Sequence, residues 1–304
     1  MKTGKTFGVA AIVVVLLACF PFGVSGYILG LLTLAFYFAV FAMSWDLLFG
    51  FAGEVNFGPS FLIGVGAYTA GLLNHYAGFP IWACVIIGAL ASVIAGLLLA
   101  IPALRLRGPY FGLVTLVAVL LLQNVIVLFA GITGGEIGLD LPDVLSIDDS
   151  NNYWIALAFM SISGALLFGL SRSAVGLILQ ASGQDAMQAS ALGFNVTKHK
   201  LAAFCVSALF SGLAGAMLIF YEGTASVGTV VDIAVGVQVI IAAVLGGRRT
   251  ILGAALGAVF LIVAGELLRP LGELSTFVVS AVALVVILFF PGGFLGTLLH
   301  TGDR

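Results

Sequence analysis

"ILQASGQDAMQASALGFNVTKHK", residues 178–200, interrupts a chain that otherwise reads as almost continuous hydrocarbon. Within these residues stand Gln180, Gln184, Gln188, Asp185, Lys198, Lys200 and His199, together with enough Ala, Leu and Met to favour a helix. The contrast with the rest of the chain is large. Of 304 residues, 62% are hydrophobic and only 8% charged, against roughly 25% charged in a soluble domain. Mean hydropathy is +1.26, and 40 glycines are present. Such a composition predicts an all-α polytopic membrane protein in contact with lipid, in which small residues let helices approach closely. A net charge of −2 carries no nucleic-acid footprint.

Chemistry-bearing clusters are sparse. Cys19, Cys84 and Cys205 each lie in an apolar run, without a CxxC or Cys/His spacing, and read as small buried hydrophobes. His75, His199 and His300 are far apart in sequence and form no ligand set. The phosphate-binding pattern GxxxxGK[ST] is missing, so this chain is not expected to bind or hydrolyse ATP itself. Neither a nucleophile–base pair nor a metal set points to an enzyme, and no cofactor is expected on the chain.

Working outward from the polar stretch, a bilayer core requires about 20 apolar residues per helix. Ten segments qualify as spans: 7–22, 27–49, 58–73, 80–102, 109–130, 153–171, 200–221, 229–247, 251–269 and 272–290. The first is expected to remain as an uncleaved helix. The third is short and rich in glycine, which predicts a half-helix or re-entrant piece. Ten spans with a cytoplasmic N-terminus place Lys2, Lys5, Arg105, Arg107, Arg172, Lys198, Lys200, Arg248, Arg249 and Arg304 inside, and only Arg269 outside, near Glu266 and Glu273. Residues 131–152 hold five acids and no base, which suits the outer side. Both termini are therefore expected in the cytoplasm. The segment 174–199 becomes a cytoplasmic insertion in a single transmembrane domain, 1–304. A loop that merely reconnects two helices needs a few residues, so this length suits a dock for a soluble partner.

Several polar residues fall near or inside the spans. Asp46, Glu54 and Asn56 flank the start of the third segment. They either line or gate a pathway, since ionisable groups at membrane depth face cavities or partners, or lie at the interface and satisfy nearby N–H groups or arginines. Gln123, Asn124 and Gln238 are candidates for helix-bridging hydrogen bonds or for a pathway. Tyr68, Phe111 and Thr115 are candidates to face a solute, with core or lipid contact as the alternative. The glycines of 50–71 read as close-approach points between helices.

Six motifs then suggest a family. "DLLFGFAGEVNFGPSFLIGVGAYTAGLL" (46–73), "RLRGPYFGLVTL" (105–116), "ITGGEIGL" (132–139), "ALGFNVTKHKLAAFCVSALFSGLAGAM" (191–217), "VLGGRRTILGAALGA" (244–258) and "PGGFLG" (291–296) resemble, in order, the signatures of the LivH/LivM family. Its members are permease subunits of branched-chain amino-acid-type ABC importers. The arginine–glycine–proline turn makes the chain more similar to the LivM member. The resemblance implies a type II ABC importer fold of about ten helices in a bacterial or archaeal cytoplasmic (inner) membrane. It implies a second, LivH-like permease subunit, two cytoplasmic ATPase subunits carrying ATP and Mg, and a periplasmic solute-binding protein, for which Glu222 and Asp232 are candidate contacts.

The resemblance also makes 180–193 a coupling helix seated on the ATPase, with Gln180, Gln184, Asp185, Met187, Gln188, Leu192 and Gly193 in the contact. Alternating access would move a small polar solute inward: an amino acid, urea, a short amide or an organic acid. Three places depart from the family pattern. Relatives carry several charges across Gln180–Ala186, usually have Gln and His where this chain has Glu54 and Pro59, and are often apolar or small at Arg248, Arg249 and Thr250. The competing reading is an ion-coupled secondary transporter using Asp46, Glu54 or Glu266, which leaves the insertion at 174–199 without a purpose.

Overall fold

A computed structural model describes residues 14–24, 26–104, 110–271 and residue 281. Its long helices are α1 (Gly26–Asp46), α2 (Pro59–Ala77), α3 (Ile81–Ala103), α4 (Tyr110–Leu128), α5 (Asp149–Arg172), α8 (Val196–Glu222), α9 (Ile233–Gly246) and α10 (Ile251–Leu268). Two shorter helices, α6 (Ala174–Gln184) and α7 (Ala186–Ala191), sit between α5 and α8. Among the described residues, seven segments are long and apolar enough to cross a membrane: Gly26–Phe51, Ile81–Ala103, Tyr110–Leu128, Asp149–Arg172, Val196–Glu222, Val227–Gly246 and Ile251–Leu268. The chain is thus an all-α multi-pass membrane protein. A count of ten spans is not reached. The last expected span, 272–290, most of the first, and the turn holding Arg105 and Arg107 lie outside the described residues.

The third expected span needs correcting. No half-helix forms at 58–73. Instead α2 runs unbroken for 19 residues, about 28 Å at 1.5 Å per residue, close to the thickness of the hydrocarbon core. It falls outside the seven because its second half carries Asn74, His75 and Tyr76. Those groups are held by the neighbouring loop: Asn74 Nδ2 donates to Asp143 at 2.8 Å, and His75 Nδ1 lies 2.9 Å from the Asp140 carbonyl. The same end of the bundle holds a two-stranded antiparallel pair that periodicity did not reveal, β1 (Leu139–Asp140) against β2 (Thr224–Ala225), with Leu139 opposite Ala225.

α1 forms the centre of the bundle. It packs on α5, α8, α9 and α10, and Phe36, Tyr37, Phe41 and Trp45 are fully buried along it. Lipid is as apolar as leucine, so burial alone does not draw helices together; close fit and polar contacts do. At Gly66 the fit reaches backbone: a Cβ there would fall 2.5 Å from Gly212 Cα, and one on Gly88 would fall 2.5 Å from the Gly66 carbonyl. Three helices, α2, α3 and α8, therefore meet where any larger residue would force them apart. Ser44 and Ser211 add a buried hydroxyl pair at 2.9 Å between α1 and α8.

Candidate functional site

The basic residues in the described chain gather, with one exception, at one end of the bundle: Arg172, Lys198, Lys200, Arg248 and Arg249. At this basic end α5 stops at Arg172, and Ser173 turns the chain, its hydroxyl accepting from Gly176 N at the start of α6. The stretch read as one helix over 180–193 is broken in two. α6 ends at Gln184, and Asp185 takes an extended conformation (φ −150°, ψ 101°). Its carboxylate then accepts from Met187 N at 2.9 Å and Gln188 N at 3.0 Å, which caps α7. An N-cap of this kind supplies about 1 kcal/mol. Asp185 is thus a capping group in this chain. Gly193, at φ +89°, ends the segment, and Asn195 caps α8 by accepting from Lys198 N at 3.0 Å.

The outcome is a short, capped helix pair with an uncovered apolar face. Ala189 points inward and is buried, whereas Met187 is 83%, Leu192 74% and Phe194 39% exposed. Gln184, Gln188 and Gly193 are exposed beside them, and Gln180 is half-buried. Here the face belongs to a polar connection carrying Gln184, Asp185, Gln188, Lys198 and His199, so the surroundings suit water rather than lipid.

Against the inner side of this pair lies the connector between α1 and α2, residues 47–58. It starts as a π-helical turn, Leu47–Phe51, a rare form found often at functional sites. Gly53 follows at φ +74°, and a Cβ on it would meet Gly183 Cα and carbonyl O at 2.9 Å. α6 and the connector therefore touch through backbone. One residue further on, Glu54 Oε1 receives a 2.6 Å ion pair from Lys200 Nζ in the first turns of α8. Trp45 Nε1 donates to the Asn56 carbonyl at 2.7 Å, and the Asn56 side chain accepts from Gly58 N at 2.9 Å. Phe57 N donates to Thr115 Oγ1 at 3.0 Å, fixing the connector to the foot of α4.

A third element at the same end is the turn between α9 and α10. Arg249 N donates to the Asp46 carboxylate at 3.1 Å, and Arg249 Nε to the Gly50 carbonyl at 3.0 Å. These bonds hold Arg249 at φ +64°, a conformation costly for a side chain with a Cβ. Burial and then the neighbouring Arg248 pull the Arg249 guanidinium below its ordinary value, and Asp46 opposes them. Arg248 sits over the Phe49 ring at 4.7 Å, and Phe49 stacks on Trp45 at 4.7 Å.

Of the expected pathway residues, four gather around this connector. Glu54 is ion-paired. Asn56 and Thr115 are buried in hydrogen bonds, and Phe111 is buried edge-on against Phe204 of α8 at 6.0 Å. Tyr68 lies further along α2, buried, with no hydrogen-bond partner for its hydroxyl among the described residues. Gln123 is half-buried on α4, while Asn124 there and Gln238 on α9 are exposed, so these amides stand apart from the cluster. Residue-by-residue reading missed Trp45, Phe49, Gly183 and the role of Lys200. Arg248 and Arg249 stand out in the sequence as inside-facing charges and as departures from the family pattern, without their contacts to Asp46, Gly50 and Phe49.

The opposite, acidic end carries the exception, Arg269, which is paired with Glu266 at 3.1 Å as expected; Glu273 lies outside the described residues. Tyr27 bridges to both side chains. An open cleft of about 650 Å³ lies beside them, lined also by Asp149, Asn152, Tyr221 and Glu222. Asp232 caps α9 by accepting from Ala234 N at 2.8 Å. Of the three carboxylates considered for ion coupling, Glu54 and Glu266 are ion-paired, and Asp46 accepts from Arg249 N through Oδ1 while its buried Oδ2 has no partner among the described residues.

The pattern of the whole chain decides its kinship. The family model described as "Branched-chain amino acid transport system / permease component" matches residues 27–291. The chain belongs to this permease family. It is therefore a transport subunit of the ABC type and not itself an enzyme. Curated relatives include the "High-affinity branched-chain amino acid transport system permease protein LivM" of Escherichia coli (strain K12), 30% identical over 96% of this chain and 75% of the relative. The LivM of Salmonella typhimurium is 29% identical with the same coverage. The permease protein LivH of Escherichia coli (strain K12) is 24% identical over 87% of this chain and 92% of the relative. No solved structure matches the chain. Within the permease family, this chain is more similar to LivM than to LivH.

Proposed function

We propose that this chain is the LivM-like half of a permease pair in an ATP-driven, binding-protein-dependent importer. The observation that carries this reading is the α6–α7 pair: a capped projection whose Met187 and Leu192 are uncovered, and Phe194 partly so, at the basic end. Burying a large apolar side chain contributes about 1.5–3 kcal/mol, so this small face suffices as the centre of a protein contact. The partner is a cytoplasmic ATPase subunit, one of two, on which ATP and Mg are bound and used. Gln180, Gln184, Gln188 and Gly193 flank the contact, while Asp185 shapes it.

The basic end faces the cytoplasm by the excess of Lys and Arg, and both termini lie on that side of the inner membrane. The acidic end faces outward and receives the solute-binding protein around Glu222 and Asp232. A LivH-like subunit completes the pair. The solute is a branched-chain amino acid or a related small polar molecule, moved inward by alternating access, past Asn56, Thr115 and the amides Gln123 and Gln238. Relatives named for branched-chain amino acid transport support this substrate class.

The test is reconstitution of the chain with its second permease, ATPase subunits and binding protein into liposomes. Uptake of radiolabelled leucine, isoleucine or valine that requires ATP on the ATPase side is the expected result. Uptake by this chain alone, driven by a proton or sodium gradient, would overturn the reading.

A further inference from the structure

Resting on that reading, the structure assigns a positioning role to Glu54 and Lys200: their ion pair ties the 47–58 connector to the first turns of α8, which continue the chain from the ATPase-facing helix pair, and together with the Gly53–Gly183 contact to α6 it makes the connector travel with that pair and so moves the foot of α4. Glu54 is thereby a transmission residue rather than a solute ligand.

The connector is gripped on both sides by different kinds of contact. On the side of α6, the contact is backbone on backbone: a Cβ on Gly183 would fall 2.9 Å from Ala52 C and 3.0 Å from Gly53 N. Contacts this close have no slack, so α6 cannot shift toward the connector without displacing it. At α8 the grip is electrostatic. The Lys200 and Glu54 side chains are only 15% and 20% exposed, so their attraction is less screened than that of a surface pair. Pushing is therefore carried by the glycine contact and pulling by the ion pair. On the far side, Phe57 N is bonded to Thr115 Oγ1, and a Cβ on Gly112 would fall 3.1 Å from the Val55 carbonyl. Displacement of residues 53–57 thus reaches α4 directly.

The connector's own start is its fixed end. The π-helical turn Leu47–Phe51 closes through Ala52 N to the Leu47 carbonyl at 3.4 Å. Asp46, immediately before it, is anchored to Arg249 N, and Gly50 within it to Arg249 Nε. Residues 53–57, beyond this clamp, are the part that moves. Coupling claims require a demonstrated response at both ends of the chain of contacts, and this sets the experiment.

In the assembled complex, Cys19, Cys84 and Cys205 are replaced by alanine, and nitroxide labels are attached through Leu113→Cys on α4 and Leu166→Cys on α5. Both positions are exposed. The label-to-label distance is measured without nucleotide and with ATP plus vanadate. A nucleotide-dependent shift is expected with the native pair. Glu54→Gln and Lys200→Gln should each reduce that shift to less than about half while ATPase subunits remain bound. The double variant should match either single one, because both break the same pair, and Lys200→Arg should retain the shift. A full shift in both single variants, a double variant that sums their losses, or no shift with the native pair and a working ATPase would each overturn the relay. A native-pair preparation that holds no ATPase subunit would overturn the importer reading itself, and the relay with it.

Discussion

Two connections at the basic end join successive long helices and are built in opposite ways. Between α9 and α10 the chain turns within residues 247–250, and Arg249 points inward, its N to Asp46 and its Nε to the Gly50 carbonyl, while the exposed Arg248 lies over Phe49. Between α5 and α8 it uses residues 173–195, makes two helices, and leaves Met187 and Leu192 largely uncovered. The first is short and makes its contacts within the chain, through Asp46 Oδ1 and the Gly50 carbonyl. The second is longer than a connection requires, is capped into a defined shape, and is satisfied only at its inner side. Length beyond need, capped helix ends and an open apolar face together distinguish the proposed docking surface from a turn that merely closes. The connector 47–58 touches both, and so stands between the fixed turn and the docking pair.

The largest effect that would break this contrast is loss of the open face. Met187→Arg with Leu192→Arg should weaken ATPase binding by about 3 kcal/mol, on the order of a hundredfold in Kd, with the thermal stability of the permease unchanged. Titration of ATPase subunits onto the permease pair in nanodiscs measures it; unaltered affinity would remove the face from the dock. The closed turn should respond in the reverse way. Asp46→Ala leaves the Arg249 N–H without its acceptor and should cost about 2 kcal/mol of stability, read as an earlier melting transition in detergent. ATPase affinity should not change, and Asp46→Asn, which keeps an acceptor, should lose less.

The contact between the two regions is tested next. Gly53→Ala meets both a positive φ and the Gly183 backbone, and should cost about 1–2 kcal/mol, with less solute moved per ATP. A variant with native uptake and stability would mean that the backbone contact is looser than it stands. The smallest effect sharpens the role of shape in the dock. Asp185→Ala removes the cap of α7 and should weaken ATPase binding by about 1 kcal/mol, roughly fivefold. Asp185→Asn should restore most of it. Equal losses in both would return Asp185 to a charge-based contact.

The bundle itself was readable because each apolar run long enough to cross a bilayer has few other places to go. The ends of elements were less so. α2 runs to Ala77 because Asn74 and His75 find partners in a loop some 65 residues away, and a local window does not contain that information. The break at Asp185 was legible in principle. "DAMQ" (185–188) places an N-cap acid three residues before a glutamine, the spacing of a helix start, but helix-forming neighbours on both sides concealed it. For Glu54 the sequence suggests, besides a pathway, a nearby N–H group or arginine; its partner is instead Lys200, 146 residues on, and only the packing of α8 on α2 brings the two together. Asn56, Phe111 and Thr115 converge for the same reason, whereas Gln123 and Gln238, equally polar in sequence, remain apart from the cluster.

Residues 173–195 are, on the proposed reading, held open for an ATPase. The most direct measurement replaces Leu192 with the photo-crosslinking residue benzoylphenylalanine in intact membranes and identifies what it captures by mass spectrometry. Capture of an ATPase subunit, abolished by Met187→Arg and undiminished by Asp46→Ala, is the result this account predicts. Capture of lipid, or of this chain's own helices, would show that the face is covered by something else and would contradict it.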